Sequence, residues 1–338
     1  MPPAQAIYRN SAVLGVLDAS FRGIGQIFFM NNPITGILLV AAFAFHNSWL
    51  ALLLVLGSLG GTLAARLLKY QDGLVSSGMF SFNGGLLGLL TGVFLIPSAH
   101  PAGIFYAVAA GVVSAPAMNA TVRIFSITLG VPALTVTFNL VGLSALLLGS
   151  ATADGERRKA FSALFPRVLQ SPETTLRATP AGDPVSFIVG ICNGVFRGIS
   201  EVFLIDSLWV GVVILVALAV CSRIAAVMAL AGSLIGTLTA VALGADGNQI
   251  YLGLWGYNGA LVAVALFGIV LEISWSSFIF TLLACSASSA LYGALTQFLM
   301  PLGLIPLTLP MVIVVIGSAL AARGSRLKPI PLVDYSTA

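Results

Sequence analysis

The chain is 338 residues long; 58% of them are hydrophobic, only 8% are charged, the formal net charge is +4 and the mean hydropathy is +1.05. Soluble domains carry about 25% charge, so this composition excludes a water-soluble enzyme and implies an integral membrane protein, which its apolar stretches lead us to expect to be all-α. The small positive excess sits mainly in loops and tails, where it reads as an orientation signal and not as a nucleic-acid surface.

In chain order, Met1 to Asn10 lacks the basic region, apolar run and small-residue cleavage site of a removable leader, so the first hydrophobic element is expected to stay in the mature protein. Asp18 to Asn31 carries Arg22 and Gln26 and is a poor lipid-facing helix, since an ionised group at the bilayer centre is costly. It is expected to be a short re-entrant helix buried in protein. Apolar stretches follow at roughly 33–46, 48–68, 80–97, 102–122 and 127–149. Several are shorter than the ~20 residues a straight span needs, so tilted, broken or enclosed helices are expected. Ala151 to Asp183, with Glu156-Arg157-Arg158-Lys159 and prolines from Pro166 onward, reads as a linker. Asn193 to Asp206 then opens a second series, with Arg197 and Glu201, followed by stretches at about 208–222, 224–243, 254–271, 277–299 and 304–322.

The two series are copies. Phe21-Arg22-Gly23-Ile24 returns as Phe196-Arg197-Gly198-Ile199, Gly57-Ser58-Leu59 as Gly232-Ser233-Leu234, and Asn83-Gly84 as Asn258-Gly259, always 175 positions on. A duplication in so apolar a chain points to a membrane transporter with its substrate path between the copies. Five spans per copy is an odd number, so the copies are expected to be inverted: 1–150 as the first repeat, 151–185 as the linker, 186–338 as the second repeat and tail. On that scheme Arg9, Arg66, Lys69, Arg123, Arg223, Arg323, Arg326 and Lys328 share one face and Arg157, Arg158, Lys159, Arg167 and Arg177 the other, which favours cytoplasmic termini.

Other features read more plainly. Cys192, Cys221 and Cys285 are scattered and are expected to be small buried hydrophobes. Gly84, Gly85 and Gly88, and the GxxxG pair Gly232 and Gly236, fit close helix packing. His46 and His100 fall at span ends, unlike the facing mid-pore histidines an ammonia channel would want. No HExxH helix, nucleophile–base pair or paired membrane aspartates suggest an enzyme, and no cofactor is expected. Intramembrane carboxylates of a coupled transporter reduce to Glu201, with Asp18 and Asp206 at segment ends.

Three strings carry a closer resemblance: Gln26-Ile27-Phe28-Phe29-Met30-Asn31-Asn32-Pro33; Gln71-Asp72 leading to Asn83-Gly84; and Asn248-Gln249-Ile250-Tyr251-Leu252-Gly253-Leu254-Trp255-Gly256-Tyr257-Asn258. Together they resemble the urea transporter family, in its bacterial form, over nearly the whole chain except the linker and tails. The resemblance implies a multi-pass protein of the inner (plasma) membrane, a homotrimer in lipid. Each protomer would hold its own central pore, built from ten spans and two half-membrane helices, and pass urea down its gradient. Ammonia or a short amide is the alternative solute.

Urea is flat and neutral, with four N–H donors and one carbonyl acceptor, and an unmatched polar group in an apolar passage costs about 1–3 kcal/mol. The resemblance assigns Gln26 and its equivalent Glu201 to the mouths of a selectivity filter; the plainer reading is that Glu201 neutralises Arg197, as Asp18 does Arg22. Thr135 and Thr308, offset by 173, follow Pro132 and Pro306 inside apolar stretches where a break in the helix frees carbonyls for N–H groups. Thr308-Leu309-Pro310 matches the family's Thr-x-Pro, whereas the first copy has Thr137 in place of the proline, which leaves its break less expected. Phe82 and Tyr257, Leu86 and Leu261, and Ile27, Phe29, Val202 and Leu204 on the half-helices are the implied apolar slot; ordinary core packing is the other reading of these eight.

Overall fold

A computed structural model describes residues 12–152 and 184–331. Arg9, the charged residues of the expected linker and all but two residues at each end of that linker lie outside the described residues. The described chain is all-helical, with two isolated β-bridges, Phe267 with Leu271 and Leu271 with Pro329.

The helices are α1 Ala12–Gln26, α2 Pro33–His46, α3 Ser48–Leu67, α4 Asp72–Ser76, α5 Phe82–Leu90, α6 Pro101–Thr121 and α7 Val136–Thr152. The same order then recurs: α8 Pro184–Glu201, α9 Leu208–Cys221, α10 Arg223–Ala242, α11 Gly247–Tyr251, α12 Tyr257–Leu266, α13 Trp275–Leu299 and α14 Leu309–Ala321. Among the described residues, four helical stretches are long and apolar enough to cross a membrane: Ser48–Leu67, Pro101–Thr128, Arg223–Ala242 and Trp275–Leu302. Six apolar helices, α2, α5, α7, α9, α12 and α14, are shorter.

Helix boundaries recur for chemical reasons. Asn32 caps α2 by accepting from the Ile34 N–H, with Pro33 preset in the first turn, and Ser207 caps α9 at the equivalent position. Asn47 closes α2 and caps α3, while Ser222 closes α9 and caps α10. An amide in one copy and a hydroxyl in the other do the same work because each offers a short-armed oxygen to the first-turn N–H groups.

The described chain divides into two compact units, the first holding residues 12–129 and 136–142, the second residues 130–135, 143–152 and 184–331. Within the first, glycines let backbones touch: a Cβ on Gly57 would lie 2.1 Å from the Gly84 oxygen, and one on Gly111 2.2 Å from the Gly57 oxygen. Within the second, a Cβ on Gly232 would lie 2.2 Å from the Gly259 oxygen. Helices in lipid gain little from burying apolar surface against each other, so close van der Waals approach over small residues holds them together.

Three expectations need correction. The polar opening segments are helices that start and stop earlier than read from polarity, ending at Gln26 and Glu201, because left-handed turns with no glycine to announce them close both. The first copy is broken before α7 despite Thr137, since Gly130 at φ 63° and Pro132 already interrupt the helical ladder. Cys192 and Cys221 are exposed and only Cys285 is buried, donating to the Gly259 carbonyl. An outward helix face in lipid accepts a thiol as readily as a core does.

Candidate functional site

The C-terminus of α1 is closed by the Met30 N–H bonding back to the Gly25 carbonyl at 3.0 Å, which puts Phe29 in the left-handed region at φ 62°. In α8 the Ile205 N–H reaches the Ser200 carbonyl and Leu204 sits at φ 58°. Bulky residues in this region cost of order 1–3 kcal/mol and concentrate at functional sites. Leu134 at φ 50° and Leu307 at φ 48°, the residues immediately before Thr135 and Thr308, complete the set. Among the described residues, four of the five non-glycine residues with positive φ therefore lie in or beside the residues singled out from sequence; Lys69 is the other.

Gln26, the last residue of α1, donates its side-chain amide to the Ser77 carbonyl at 2.7 Å, which aims its carbonyl oxygen the other way. Glu201, the last residue of α8, is half-buried; its backbone carbonyl accepts from the Leu204 N–H at 2.9 Å, while its carboxylate makes no hydrogen bond or salt bridge among the described residues. Arg197 pairs instead with Asp206 and lies over the Tyr251 ring, 4.6 Å from its centroid. Arg22 pairs with Asp18 at 2.6 Å and also donates to the Asn31 side chain at 3.1 Å. The salt bridges of Arg22 and Arg197 are thus made with Asp18 and Asp206 and not with Glu201, although Arg197 still lies near enough to act on the Glu201 charge.

Both broken helices start the same way. The Asn83 side-chain oxygen accepts from the Phe138 N–H in the first turn of α7 at 3.1 Å, and the Asn258 oxygen accepts from the Met311 N–H in the first turn of α14 at 3.1 Å. Thr308 occupies the N-cap position of α14 yet makes no side-chain cap there, because Asn258 has taken the N–H it would ordinarily meet. Its hydroxyl bonds the Thr135 hydroxyl at 2.7 Å instead. Both threonines are buried, at 3% exposure.

The apolar candidates divide between the units. In the first, Ile27, Phe82 and Leu86 are buried and Phe29 is half-buried; in the second, Val202, Tyr257 and Leu261 are buried and Leu204 is half-buried. Tyr257 differs from its equivalent Phe82 by a hydroxyl, which donates to the Leu307 carbonyl. Among the described residues no group of three or more His, Cys, Asp or Glu is placed to hold a metal ion.

A profile of the family described as urea transporter matches residues 17–323. The chain belongs to the urea transporter family. Urea transporter 1 of Rattus norvegicus is 29% identical over 289 residues, covering 85% of this chain and 72% of that protein, and Urea transporter 1 of Mus musculus matches to the same extent. Urea transporter 1 of Ovis aries is 28% identical over 281 residues, 83% of this chain and 70% of its own length. As a member of a transporter family with long apolar helices, the chain is a membrane protein and not an enzyme.

Within this family member, sequence reasoning missed Asn83 and Asn258 as helix caps and Leu134 and Leu307 as strained positions. The asparagines had one signal, the Asn-Gly pair kept at the 175 spacing. The leucines had none, since leucine ordinarily marks regular helix.

Proposed function

We propose that the protein is a passive, channel-like urea conduit: two inverted repeats, 1–150 and 186–338 about a linker at 151–185, supply ten spans and two half-membrane helices around a narrow pore in each protomer of a homotrimer. It sits in the inner (plasma) membrane with cytoplasmic termini. Gln26 and Glu201 serve the mouths of a filter, Thr135 and Thr308 its middle. Phe82, Tyr257, Leu86, Leu261, Ile27, Phe29, Val202 and Leu204 form an apolar slot that a planar amide fits and a hydrated ion does not.

The observation that carries this reading is the pair of threonine hydroxyls, 2.7 Å apart, at the two places where apolar helices are interrupted. A hydroxyl both donates and accepts, so such a pair meets either the oxygen or an N–H of urea. The carbonyl released at the first break, that of Leu134, supplies a further acceptor, and names of related proteins state urea as their solute.

Stopped-flow measurements on liposomes holding the purified protein test it. Urea should pass rapidly, without ionic conductance and independently of sodium or proton gradients; gradient-driven accumulation would instead place the protein among coupled transporters. Glu201→Leu should lower urea flux about five- to tenfold, as expected for one lost acceptor, while the solubilised protein elutes as wild type. An unchanged rate takes Glu201 off the path.

A further inference from the structure

The two breaks are built alike but finished differently. At the second, the Leu307 carbonyl, released because the chain leaves helical geometry there, receives two donors: the Tyr257 hydroxyl and the Asn258 side-chain amide, the latter at 3.4 Å. At the first, Phe82 has no hydroxyl, and the Asn83 amide donates to the Met118 sulfur at 3.2 Å. Among the described residues no donor reaches the Leu134 carbonyl. The Tyr257 ring is held at both ends, its hydroxyl on Leu307 and its edge against Tyr292, with centroids 5.6 Å apart.

Resting on the urea-conduit reading, we propose that Tyr257 is a specificity-determining residue: by covering the Leu307 carbonyl it makes the second half of the passage indifferent to how many N–H donors a solute carries, so that amides with a single NH2 group, such as acetamide, also pass. A solute that displaces water from an uncovered carbonyl and offers no N–H leaves that acceptor unpaired, which is unfavourable. Urea, with an NH2 on each side of its carbonyl, meets uncovered acceptors on both flanks; acetamide presents a methyl on one. Where the protein has already supplied the donor, the two solutes are treated alike. Discrimination by donor count then falls to the first half alone, at Leu134.

Liposomes carrying wild type, Tyr257→Phe or Tyr292→Phe are assayed by stopped flow for acetamide and urea, and the ratio of the two permeabilities is read for each. Tyr257→Phe keeps the ring and the longer 3.4 Å Asn258 bond but frees the carbonyl lone pair that the hydroxyl occupied, so Leu307 gains an uncovered acceptor site; elution of the solubilised protein checks assembly. The ratio of acetamide to urea is expected to fall about fivefold or more in Tyr257→Phe and to stay within about twofold of wild type in Tyr292→Phe, which leaves the Leu307 bond in place. A purely structural loosening lowers both fluxes together and leaves the ratio alone. Wild-type liposomes that pass urea but are impermeable to acetamide, a ratio unchanged in Tyr257→Phe, or an equal fall in both variants overturns the proposal. Wild-type liposomes impermeable to urea overturn the urea-conduit reading itself, a separately visible result.

Discussion

Gly57→Leu should leave no folded protein. Gly57 stands where three helices of the first unit meet: its own Cβ would lie 2.1 Å from the Gly84 oxygen, that of Gly84 would lie 2.3 Å from the Gly57 oxygen, and that of Gly111 2.2 Å from the same oxygen. The atoms in the way are backbone, which does not swing aside as a side chain would. Overpacking a core against movable side chains costs ~1–3 kcal/mol; here helices α3, α5 and α6 must separate, so the loss exceeds that range. Gly73→Ala is the control, since a Cβ at Gly73 has nothing within 4 Å. Yield and thermal midpoint of the detergent-solubilised protein are the measurements, and Gly57→Leu running as wild type with a midpoint within a few degrees of it would refute the packing argument.

Asn258→Leu should lose about tenfold in urea flux, and the protein should be destabilised by ~1–3 kcal/mol, the usual penalty for leaving a buried N–H unpaired. Leucine has the same branched heavy-atom skeleton as asparagine, though its methyl groups are bulkier, and it offers no acceptor: the Met311 N–H is left unpaired at the first turn of α14. Thr308 is already at the N-cap position, and a threonine there ordinarily caps its own helix. Once Asn258 is gone its hydroxyl turns back to do so, and the 2.7 Å bond to Thr135 is lost. Asn83→Leu should act in the same direction through the Phe138 N–H. Stability and flux that both match wild type in Asn258→Leu would mean that the asparagine positions nothing.

The two experiments probe different layers. Glycine contacts decide whether helices approach at all, whereas the asparagine caps decide which way the threonine hydroxyls turn once they have. Glu201 belongs to a third layer: the Arg197 salt bridge goes to Asp206, and the Glu201 carboxylate itself makes no hydrogen bond or salt bridge among the described residues. A half-buried carboxylate without a hydrogen bond is unfavourable for folding, which is why Glu201→Leu is expected to change flux and not assembly.

Much was legible in the chain before folding. Hydropathy gave the membrane class, and the 175 spacing read from Asn83-Gly84 and Asn258-Gly259 extends in the structure to Asn47 and Ser222 as caps and to Gly78 and Gly253 at φ 83° and 80°. These features are local: a cap, a turn or an apolar run is set by a few consecutive residues, and copying the residues copies the element. Tertiary structure alone decided that Thr135 meets Thr308 across 173 positions, that Asn258 and not Thr308 caps α14, that Arg197 takes Asp206 and not Glu201, and that Tyr257 covers Leu307 where Phe82 covers nothing. Each of these is a competition among several donors for one acceptor or the reverse, and which pairing wins depends on distances that periodicity and spacing do not encode.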